Sequence, residues 1–427
     1  MGSIVISFEN SESYNLLRRE RLGSCVTSIW DGDSFYEGDQ TFPLPDFHYL
    51  TSQFSHFEKY VFPDSTKFSY HLSGYGTKFN EAFASFLGES AERFSFVSQM
   101  PRLAHISLRA SYRQMQSDFP GKVCPLELIN SYFPKDKAKN YIFQDDPLLW
   151  VPMISLRDPS EKVYLPLQQV CPDLEADEKK FLPSAVSTGT ASGETFSKAL
   201  ESACIEALQI DSFNLWWYAG FKGKEAELDL KEFFKENMFH DTEDFLENFD
   251  INFLDISFDK GIYVVVCEIF GKNPDLPKYT VGVQGAVSLK KALYRSFMEA
   301  VTVLEFNMNI SWIESEKYQN PIPKKINNLE DNVMKYSRFG KGEKPEHRFQ
   351  IEFENYGKDP LENIRRISKW GGCLEITGSE FEGLNLHTVR ICIPELLPLP
   401  IPSFMPKFHK RYQWAGGIIN SSPHPLP

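Results

Sequence analysis

The chain carries the stretch STGTASGETFSKALESACIEALQID at residues 187–211. Six of its residues stand at steps of three or four along the chain, namely Gly193, Phe196, Ala199, Ser202, Glu206 and Gln209. Steps of three and four place side chains on one face of a helix. The stretch therefore predicts a glycine turn and then a helix whose lower half is polar, where a core-facing helix would be apolar.

The same offsets occur twice more in the chain. An earlier copy, GTKFNEAFASFLGESAER at residues 76–93, comprises Gly76, Phe79, Ala82, Ser85, Glu89 and Glu92. A later and weaker copy comprises Ala286, Leu289, Ala292, Arg295 and Glu299. A period that repeats in the sequence indicates a repeated structural unit. We expect three similar helices that present their polar stripes to one site.

The residue types in the stripes indicate a chemistry. Carboxylates from three packed helices would form an anionic cluster, which is costly unless cations offset it. Mg²⁺ prefers oxygen ligands and keeps water and substrate phosphates in its shell, and an arginine binds phosphate oxygens directly. The pattern predicts a site for Mg²⁺ and a triphosphate. Solvated helix faces with common glutamate pairs, or an ancient duplication without function, remain as alternatives.

The two strong copies resemble the core signature of the YcaO-domain family. Ser85, Glu89 and Glu92 resemble the family's SxxxExxE element, and Arg295 and Glu299 resemble its RxxxE element. Further resemblance lies in the strand segments at residues 150–152, 164–166 and 389–394. The resemblance implies an α/β (mixed α+β) class, with a YcaO-type fold in which three similar site-lining helices pack on mixed sheets. It divides the chain into an aromatic-rich N-terminal segment expected to hold strands (1–70), a YcaO catalytic domain (71–420) and a tail (421–427).

The resemblance also implies the cofactors ATP and Mg²⁺ and the residues that bind them. The ATP-binding candidates are Ser85, Glu89, Glu92, Ser187, Glu206, Gln209, Arg295 and Glu299. The metal candidates among them are Glu89, Glu92, Glu206 and Glu299. The catalytic candidates are Arg295, which would stabilise phosphate charge, and Pro427.

Four positions depart from the family pattern. Tyr75 stands where the family usually has a lysine between two glycines, and Thr188 stands in place of an asparagine. On the second helix, Gln209 and Ile210 replace the glutamate and arginine of an ExxER element. An isoleucine binds no phosphate and glutamine is a neutral ligand. These departures bear on the metal number and the nucleotide orientation.

The chain ends in PHPLP at residues 423–427. This end resembles that of azoline-forming family members, which end in PxPxP and have the terminal carboxylate in the active site. A polyproline II tail is stiff and projects such a group at little entropic cost. The resemblance therefore implies that the Pro427 carboxylate acts as a base or orients the nucleophile. The PxPxP pattern alone is weak, since residues 398–402 contain it too.

The function implied by the resemblance is ATP-dependent cyclodehydration of Cys, Ser or Thr in a ribosomally made precursor peptide to thiazoline or oxazoline. A separate E1-like, leader-binding partner protein is expected, as is a homodimer within a complex, and a flavin dehydrogenase is a further candidate partner. Formation of a thioamide or amidine, or a degenerate scaffold subunit without catalysis, stays open as an alternative.

Composition narrows the remaining possibilities. The 427 residues carry a formal net charge of -13, which argues against nucleic-acid and membrane-surface partners because both need basic patches. There is no GxxxxGK[ST] or GxGxxG motif, so nucleotide chemistry requires another kind of site. Scattered cysteines and the lack of a signal peptide predict a cytoplasmic protein.

Outside the repeats, the sequence predicts amphipathic helices between residues 222 and 250 and buried strands at residues 251–256 and 262–267. The polar segment at residues 317–348 is expected to be a loop or insertion over the site.

Overall fold

The fold is known from a computed structural model, and the structure describes residues 29–30, 36–38, 42–54, 71–136, 140–172, 186–258, 261–313, 315–319, 321, 326, 329–342, 359–401 and 404–426. The strands in these ranges are β1 (Tyr36–Gly38), β2 (His48–Gln53), β3 (His71–Gly76), β4 (Leu108–Ser111), β5 (Pro147–Ser155), β6 (Lys162–Pro166), β7 (Thr190–Gly193), β8 (Lys224–Glu225), β9 (Phe249–Asp255), β10 (Tyr263–Gly271), β11 (Thr280–Ala286), β12 (Gly372–Glu375) and β13 (His387–Cys392).

The helices in the same ranges differ widely in length. They are α1 (Phe79–Ser98), α2 (Met100–Ile106), α3 (Tyr112–Asp118), α4 (Leu126–Ile129), α5 (Leu167–Val170), α6 (Phe196–Trp217), α7 (Leu230–Glu236), α8 (Thr242–Asn248), α9 (Leu289–Ile313), α10 (Ser315–Gln319), α11 (Leu329–Phe339), α12 (Pro360–Ile367) and α13 (Lys410–Trp414). Among the described helices, none is long and apolar enough to cross a membrane.

The strands form three sheets. One has the order β1-β2-β3, a second has the order β11-β10-β9-β8, and the third has the order β4-β5-β12-β13-β7 with β6 paired to β5. The pairs between these strands are antiparallel. Helices and sheets of this kind, packed in layers, make a mixed α/β fold, as the sequence predicts.

Each of the three longest helices follows a strand at the end of a different sheet. α1 follows β3, α6 follows β7 and α9 follows β11. The helices begin at Phe79, Phe196 and Leu289, which is the same position in each copy of the sequence pattern. The repeat is therefore a strand, a short turn and a helix that returns along the strand. We call these the first, second and third units.

Two glycines allow the helix to lie against its strand. A Cβ atom on Gly74 of β3 would lie 2.3 Å from the Ala82 carbonyl oxygen of α1. A Cβ atom on Gly282 of β11 would lie 2.3 Å from the Ser296 carbonyl oxygen of α9. Any larger residue would push helix and strand apart, so the glycines fix the position of the polar stripe relative to the strand.

The second unit lies at the centre of the molecule. α6 packs against β7 and β13 of one sheet and against β11 of another, and its buried side chains, such as Leu208, share one apolar cluster with Val264 and Val389. α6 therefore connects two of the sheets. Because the helix is closely packed, a change in the size of a side chain at its polar positions would disturb the neighbouring residues.

The structure also tests the predictions made outside the repeats. β9 and β10 confirm the two buried strands, and α7 and α8 confirm amphipathic helices between residues 222 and 250. The prediction of a loop throughout residues 317–348 is wrong for Leu329–Phe339, which is the helix α11. Its apolar face, with Val333 and Met334, is buried, and this burial offsets the polar composition that suggested a loop.

The N-terminal segment contributes strands, and β2 pairs with β3 of the first unit. Leu44 and Phe47 share an apolar cluster with Phe297 of α9. The boundaries at residues 70 and 420 stay a prediction.

Candidate functional site

The three units share one hydrogen bond between a helix glutamate and the backbone of the preceding strand or turn. The Ser73 N–H donates to Glu89 Oε2 over 3.0 Å, and the Gly189 N–H donates to Glu206 Oε2 over 3.0 Å. In the third unit the Val283 N–H donates to Glu299 Oε2 over 2.9 Å. One carboxylate oxygen in each unit is thus fixed by the backbone.

The first unit surrounds its carboxylates with additional donors. Glu89 also accepts a hydrogen bond from the Ser73 hydroxyl at 3.0 Å. The Arg93 guanidinium lies 3.7 Å from Glu89 Oε1 and 3.6 Å from Glu92 Oε1. Glu89 is 25% exposed, Glu92 is 18% exposed and Arg93 is 25% exposed. The three charged side chains are therefore partly open to a ligand.

The carboxylates of the three units influence one another. Burial raises the pKa of Glu92 well above its usual range, Arg93 opposes the shift, and the charges of Glu206 and Glu89 add to it. Burial likewise raises the pKa of Glu206 to about 7. It raises the pKa of Glu299 to about 7, with hydrogen bonds and Arg295 opposing the shift and Glu206 adding to it. These effects relate Glu92 to Glu206 and Glu299 to Glu206, and the assignment of all these side chains to one ligand site stays a prediction.

Arg295 on α9 reaches the first unit. Its guanidinium carbon lies 4.6 Å from the centre of the Tyr75 ring, its Nη1 donates to the Tyr75 carbonyl at 3.4 Å, and its Nη2 lies 3.5 Å from Ser85 Oγ. Glu81 Oε1 lies 3.7 Å from Nη1, and the Tyr294 hydroxyl donates to Glu81 Oε2 at 2.8 Å. The predicted Ser85 and Arg295 are thus brought together, and Tyr75 provides an aromatic face for the cation.

Gln209 occupies the position of Glu92 in the second unit, but both of its polar atoms bind backbone. Its Nε2 donates to the Val283 carbonyl at 2.9 Å, and its Oε1 accepts from the Gly285 N–H at 2.8 Å. The carboxamide therefore joins α6 to β11 as another peptide group would. Ile210, which follows it, is 5% exposed and lies in the apolar core.

Ser187 lies in the turn before β7, and its backbone is held by Arg390 of β13. Arg390 Nη1 donates to the Ser187 carbonyl at 3.2 Å and to Thr190 Oγ1 at 3.1 Å. The Arg390 guanidinium also donates to the carbonyls of Val170 and Gln169 at 3.0 and 3.1 Å. Arg390 is 3% exposed, so it braces the turn that supplies the Gly189 N–H to Glu206.

Pro427, the catalytic candidate at the chain end, lies outside the described residues, but the preceding tail is described. The Trp217 indole N–H donates to the Pro423 carbonyl at 3.1 Å, and the His424 N–H donates to the Tyr218 hydroxyl at 3.0 Å. The His424 imidazole Nε2 lies 2.9 Å from the Pro400 carbonyl oxygen. Residues 424–426 are buried. The tail is therefore fixed to the C-terminal end of α6, two turns beyond Gln209.

The carboxylates fit a cation that arrives with phosphates. Within the described residues, no group of three His, Cys, Asp or Glu side chains is close enough to hold a metal ion by itself. Mg²⁺ commonly takes one or two protein carboxylates and completes its shell with water and substrate phosphates. Burial raises the pKa of Glu92, Glu206 and Glu299 and so disfavours their charged forms, and a bound cation would favour the charged forms again.

Three repeated units, each with a helix glutamate held by a backbone N–H, fit a protein that binds a nucleotide with Mg²⁺. The model of the YcaO family, described as a cyclodehydratase that binds ATP and Mg²⁺, matches residues 73–397. The chain belongs to the YcaO family, and ATP and Mg²⁺, the predicted cofactors, are confirmed. A comparison with curated protein sequences finds no match.

Solved structures confirm the fold. A heterocyclase in complex with substrate and cofactor is similar with a TM-score of 0.66 and 16% identity, covering 97% of this chain and 57% of that chain. The E. coli microcin synthetase McbBCD complex is similar with a TM-score of 0.66 and 17% identity, covering 92% and 96%. YcaO from Methanopyrus kandleri, bound with AMPPCP and Mg²⁺, is similar with a TM-score of 0.55 and 15% identity, covering 92% and 91%. The chain spans 57% of the length of the first heterocyclase.

Sequence reasoning missed three residues of the site. Arg93 follows Glu92 directly in the first copy, and that adjacency in an ExxER element was the available signal. Glu81 and Arg390 carried no signal, because their partners are far away in the sequence. The structure alone brings Glu81 to Arg295 and Arg390 to the Ser187 turn.

Proposed function

We propose that the chain is an ATP-dependent cyclodehydratase that forms thiazoline or oxazoline rings in a ribosomally made precursor peptide. A Cys, Ser or Thr side chain of the peptide attacks the preceding amide carbonyl. ATP phosphorylates the former carbonyl oxygen, which then leaves as phosphate as the ring's double bond forms. The balance is one ATP converted to ADP and phosphate for each ring, and the peptide loses the elements of one water.

The observation that carries this proposal is the backbone N–H that orients one helix glutamate in each of the three units, namely Glu89, Glu206 and Glu299. Bound Mg²⁺ supplies charge neutralisation for phosphoryl transfer. Glu89, Glu92, Glu206 and Glu299 are proposed to hold the metal. Their backbone and arginine contacts keep them oriented before the ligands bind, so little reorganisation is needed.

Further residues are proposed to act on the nucleotide. Arg295, with Ser85 beside it, is proposed to bind phosphate oxygens as well as stabilise their charge. Ser187 is proposed to bind the nucleotide from the turn before β7. Gln209 is proposed to act indirectly, by holding α6 against β11.

The tail is proposed to deliver the Pro427 carboxylate to the peptide. Its anchorage on Trp217 and Tyr218 supports this role, because these hydrogen bonds fix the tail to the C-terminal end of α6, the helix that carries Glu206. A carboxylate held by a fixed tail would remove the proton from the attacking side chain.

The partners follow from the same proposal. The similarity to a chain of the McbBCD complex supports work within an assembly, with an E1-like protein that binds the leader of the precursor. Homodimer formation, later oxidation by a flavin dehydrogenase and a cytoplasmic location belong to the proposal as well.

Two alternatives, thioamide formation and a scaffold without turnover, predict different outcomes. Thioamide formation would replace a peptide oxygen with sulfur and increase the mass. A scaffold without turnover is favoured by one observation, the loss of charge at Gln209 and Ile210. Mass spectrometry of the peptide after incubation with ATP, Mg²⁺ and the partner separates the three outcomes.

One variant tests the role of the tail. Addition of a single residue after Pro427 should abolish most ring formation while nucleotide binding stays within about threefold, because the carboxylate is displaced and the helices are not. Unchanged ring yield would contradict the role of the tail without contradicting the nucleotide site.

A further inference from the structure

A cavity of about 100 Å³ lies beside the nucleotide site, between β13 and the proline-rich segment that follows it. Its lining includes Tyr132, Gln168, Gln169, Pro394 and Pro398. Most of its walls are apolar or backbone, so its few polar side chains decide what it can bind.

Gln168 is a buried polar side chain of the cavity wall without a hydrogen-bond partner among the described residues. It is 3% exposed, and neither its Oε1 nor its Nε2 has a hydrogen-bond partner in the part of the chain that the structure describes. The Oε1 of the neighbouring Gln169 is also buried and unpaired. A buried polar group without a partner is unfavourable for the folded chain, and a ligand that pairs with it regains the lost hydrogen bonds.

The charged groups in the cavity wall are already occupied by backbone. The Arg390 guanidinium donates to the carbonyls of Gln169, Val170 and Ser187. The His409 Nε2 donates to the Pro394 carbonyl at 2.9 Å, while its Nδ1 accepts from the Arg411 N–H. Burial lowers the pKa of His409, and no Asp or Glu is among the described lining residues. The cavity therefore suits a neutral ligand and not a phosphate.

The shape of the carboxamide defines the ligand further. A glutamine side chain offers one acceptor and one donor group in a plane, and the complementary group is an amide, with its own N–H and carbonyl. A two-ring base is too large, since a cavity of roughly 150 Å³ is what a single benzene ring occupies. A single peptide group has fewer heavy atoms than a benzene ring and is the part of the substrate that a cavity of about 100 Å³ suits, and the rest of the peptide would lie outside it.

The cavity adjoins the carboxylate cluster. Gly189 and Ala207 line it. The Gly189 N–H donates a hydrogen bond to Glu206, and Ala207 follows Glu206 in the chain. An amide in this cavity would therefore lie next to the proposed site of phosphoryl transfer.

We propose that this cavity binds a peptide group of the substrate, and that Gln168 pairs with the N–H and carbonyl of that group. The inference rests on the proposed function, because it assigns the substrate subsite of the same reaction. Gln168 is in this account a binding residue that positions the peptide and takes no part in proton or phosphoryl transfer.

The test uses the full chain with AMPPCP and Mg²⁺ and a defined probe, the blocked dipeptide acetyl-Gly-Ser-N-methylamide, with binding followed by ligand-observed NMR titration. Gln168→Met should weaken binding of the probe about tenfold, which corresponds to two lost hydrogen bonds. Gln114→Met is the matched control, because Gln114 is an exposed glutamine outside the cavity, and it should bind like the wild type. An ester analogue, with oxygen in place of the Ser N–H, should bind weakly to the wild type and be little affected by Gln168→Met.

Thermal unfolding checks that the variant folds. Gln168→Met removes an unpaired buried carboxamide, so the Tm of the ligand-free chain should stay equal or rise. Equal probe affinity of the wild type and Gln168→Met, absence of probe binding to the wild type, or displacement of the probe by adenosine would each overturn the inference. Ring formation is measured separately with the chain, its partner, the precursor peptide, ATP and Mg²⁺. If rings form and Gln168→Met does not change their yield, this inference is contradicted and the proposed function is not.

Discussion

The first and second units share a backbone arrangement but use the equivalent helix positions differently. In the first unit these positions hold Glu92 and Arg93, whose charges are partly exposed and 3.6 Å apart. In the second unit they hold Gln209, which bonds to the backbone of β11, and Ile210, which is buried in the core. The same repeat positions therefore carry a partly exposed ion pair in the first unit and packing contacts in the second.

The difference shows why a shared motif does not imply shared chemistry. Both helices pack against two sheets, but Glu92 and Arg93 of α1 keep 18% and 25% exposure, whereas Gln209 and Ile210 of α6 are only 7% and 5% exposed. A charge buried between sheets without a partner would be costly, and a glutamine that pairs with a strand avoids this cost. The contact that both units keep is the glutamate bound by a backbone N–H.

The largest effect is expected from Glu92→Gln in the first unit. Loss of this charge should lower kcat by about 100-fold or more, as removal of one group that stabilises transition-state charge does. The Tm of the ligand-free chain should stay equal or rise, because burial disfavours the charged Glu92 carboxylate and its repulsion with Glu206 and Glu89 is relieved. Steady-state kinetics and thermal unfolding on the same preparation check both signs. A variant with wild-type kcat would remove Glu92 from the site.

The reciprocal change in the second unit, Gln209→Glu, is expected to act on stability. The Val283 carbonyl would lose its donor and a carboxylate would be buried, so the free energy of unfolding should fall by about 1–3 kcal/mol. Urea denaturation measures this change. A Gln209→Glu chain that is equally stable and binds Mg²⁺ and nucleotide more tightly would show that the two units are equivalent after all.

The dependence of stability on pH is a third and smaller test. Glu206 and Glu299 have pKa values raised to about 7, so the folded chain holds protons that the unfolded chain has lost. Stability should therefore fall as pH rises from 6.5 to 8, and AMPPCP with Mg²⁺ should reduce the fall. Glu305 has a pKa raised to about 7 by burial, so the measurement is made in Glu305→Gln. His424, whose pKa is lowered to about 4, affects stability only below this window.

An equal Tm at pH 6.5 and 8 would mean that burial does not raise the pKa values of Glu206 and Glu299 in solution. A fall that AMPPCP and Mg²⁺ leave unchanged would place the affected groups away from the ligand.

The smallest effect is expected from Tyr75→Leu. The stacked ring contributes about 0.5–1 kcal/mol to a cation at a partly exposed site, so nucleotide affinity should fall by less than about tenfold. Tyr75→Phe keeps the ring face and is the matched control. Equal losses in both variants would assign the effect to the hydroxyl and not to the contact with Arg295.

The repeat could be predicted from sequence because its signal is local. The offsets place Phe79, Phe196 and Leu289 at the starts of three helices, and the structure begins each helix there. Steps of three and four along one helix need no knowledge of the rest of the fold. The family resemblance added the cofactors, which the family match confirms.

The remaining features depend on distant contacts. Nothing near Gln209 in the sequence indicates that Val283 and Gly285 take both of its polar atoms. The helix Leu329–Phe339 was missed because its polar composition resembles a loop, and only its buried face reveals it. The anchorage of His424 on Tyr218 and Pro400 likewise joins segments that sequence alone does not connect.

The most direct test of the central claim follows the oxygen atom of the amide. A precursor peptide with oxygen-18 in the carbonyl before a Cys, Ser or Thr is incubated with the chain, its partner, ATP and Mg²⁺. The account predicts that the peptide loses the mass of one labelled water for each ring and that the label appears in inorganic phosphate. A peptide that keeps its mass, or a ring whose label appears in water and not in phosphate, would contradict it.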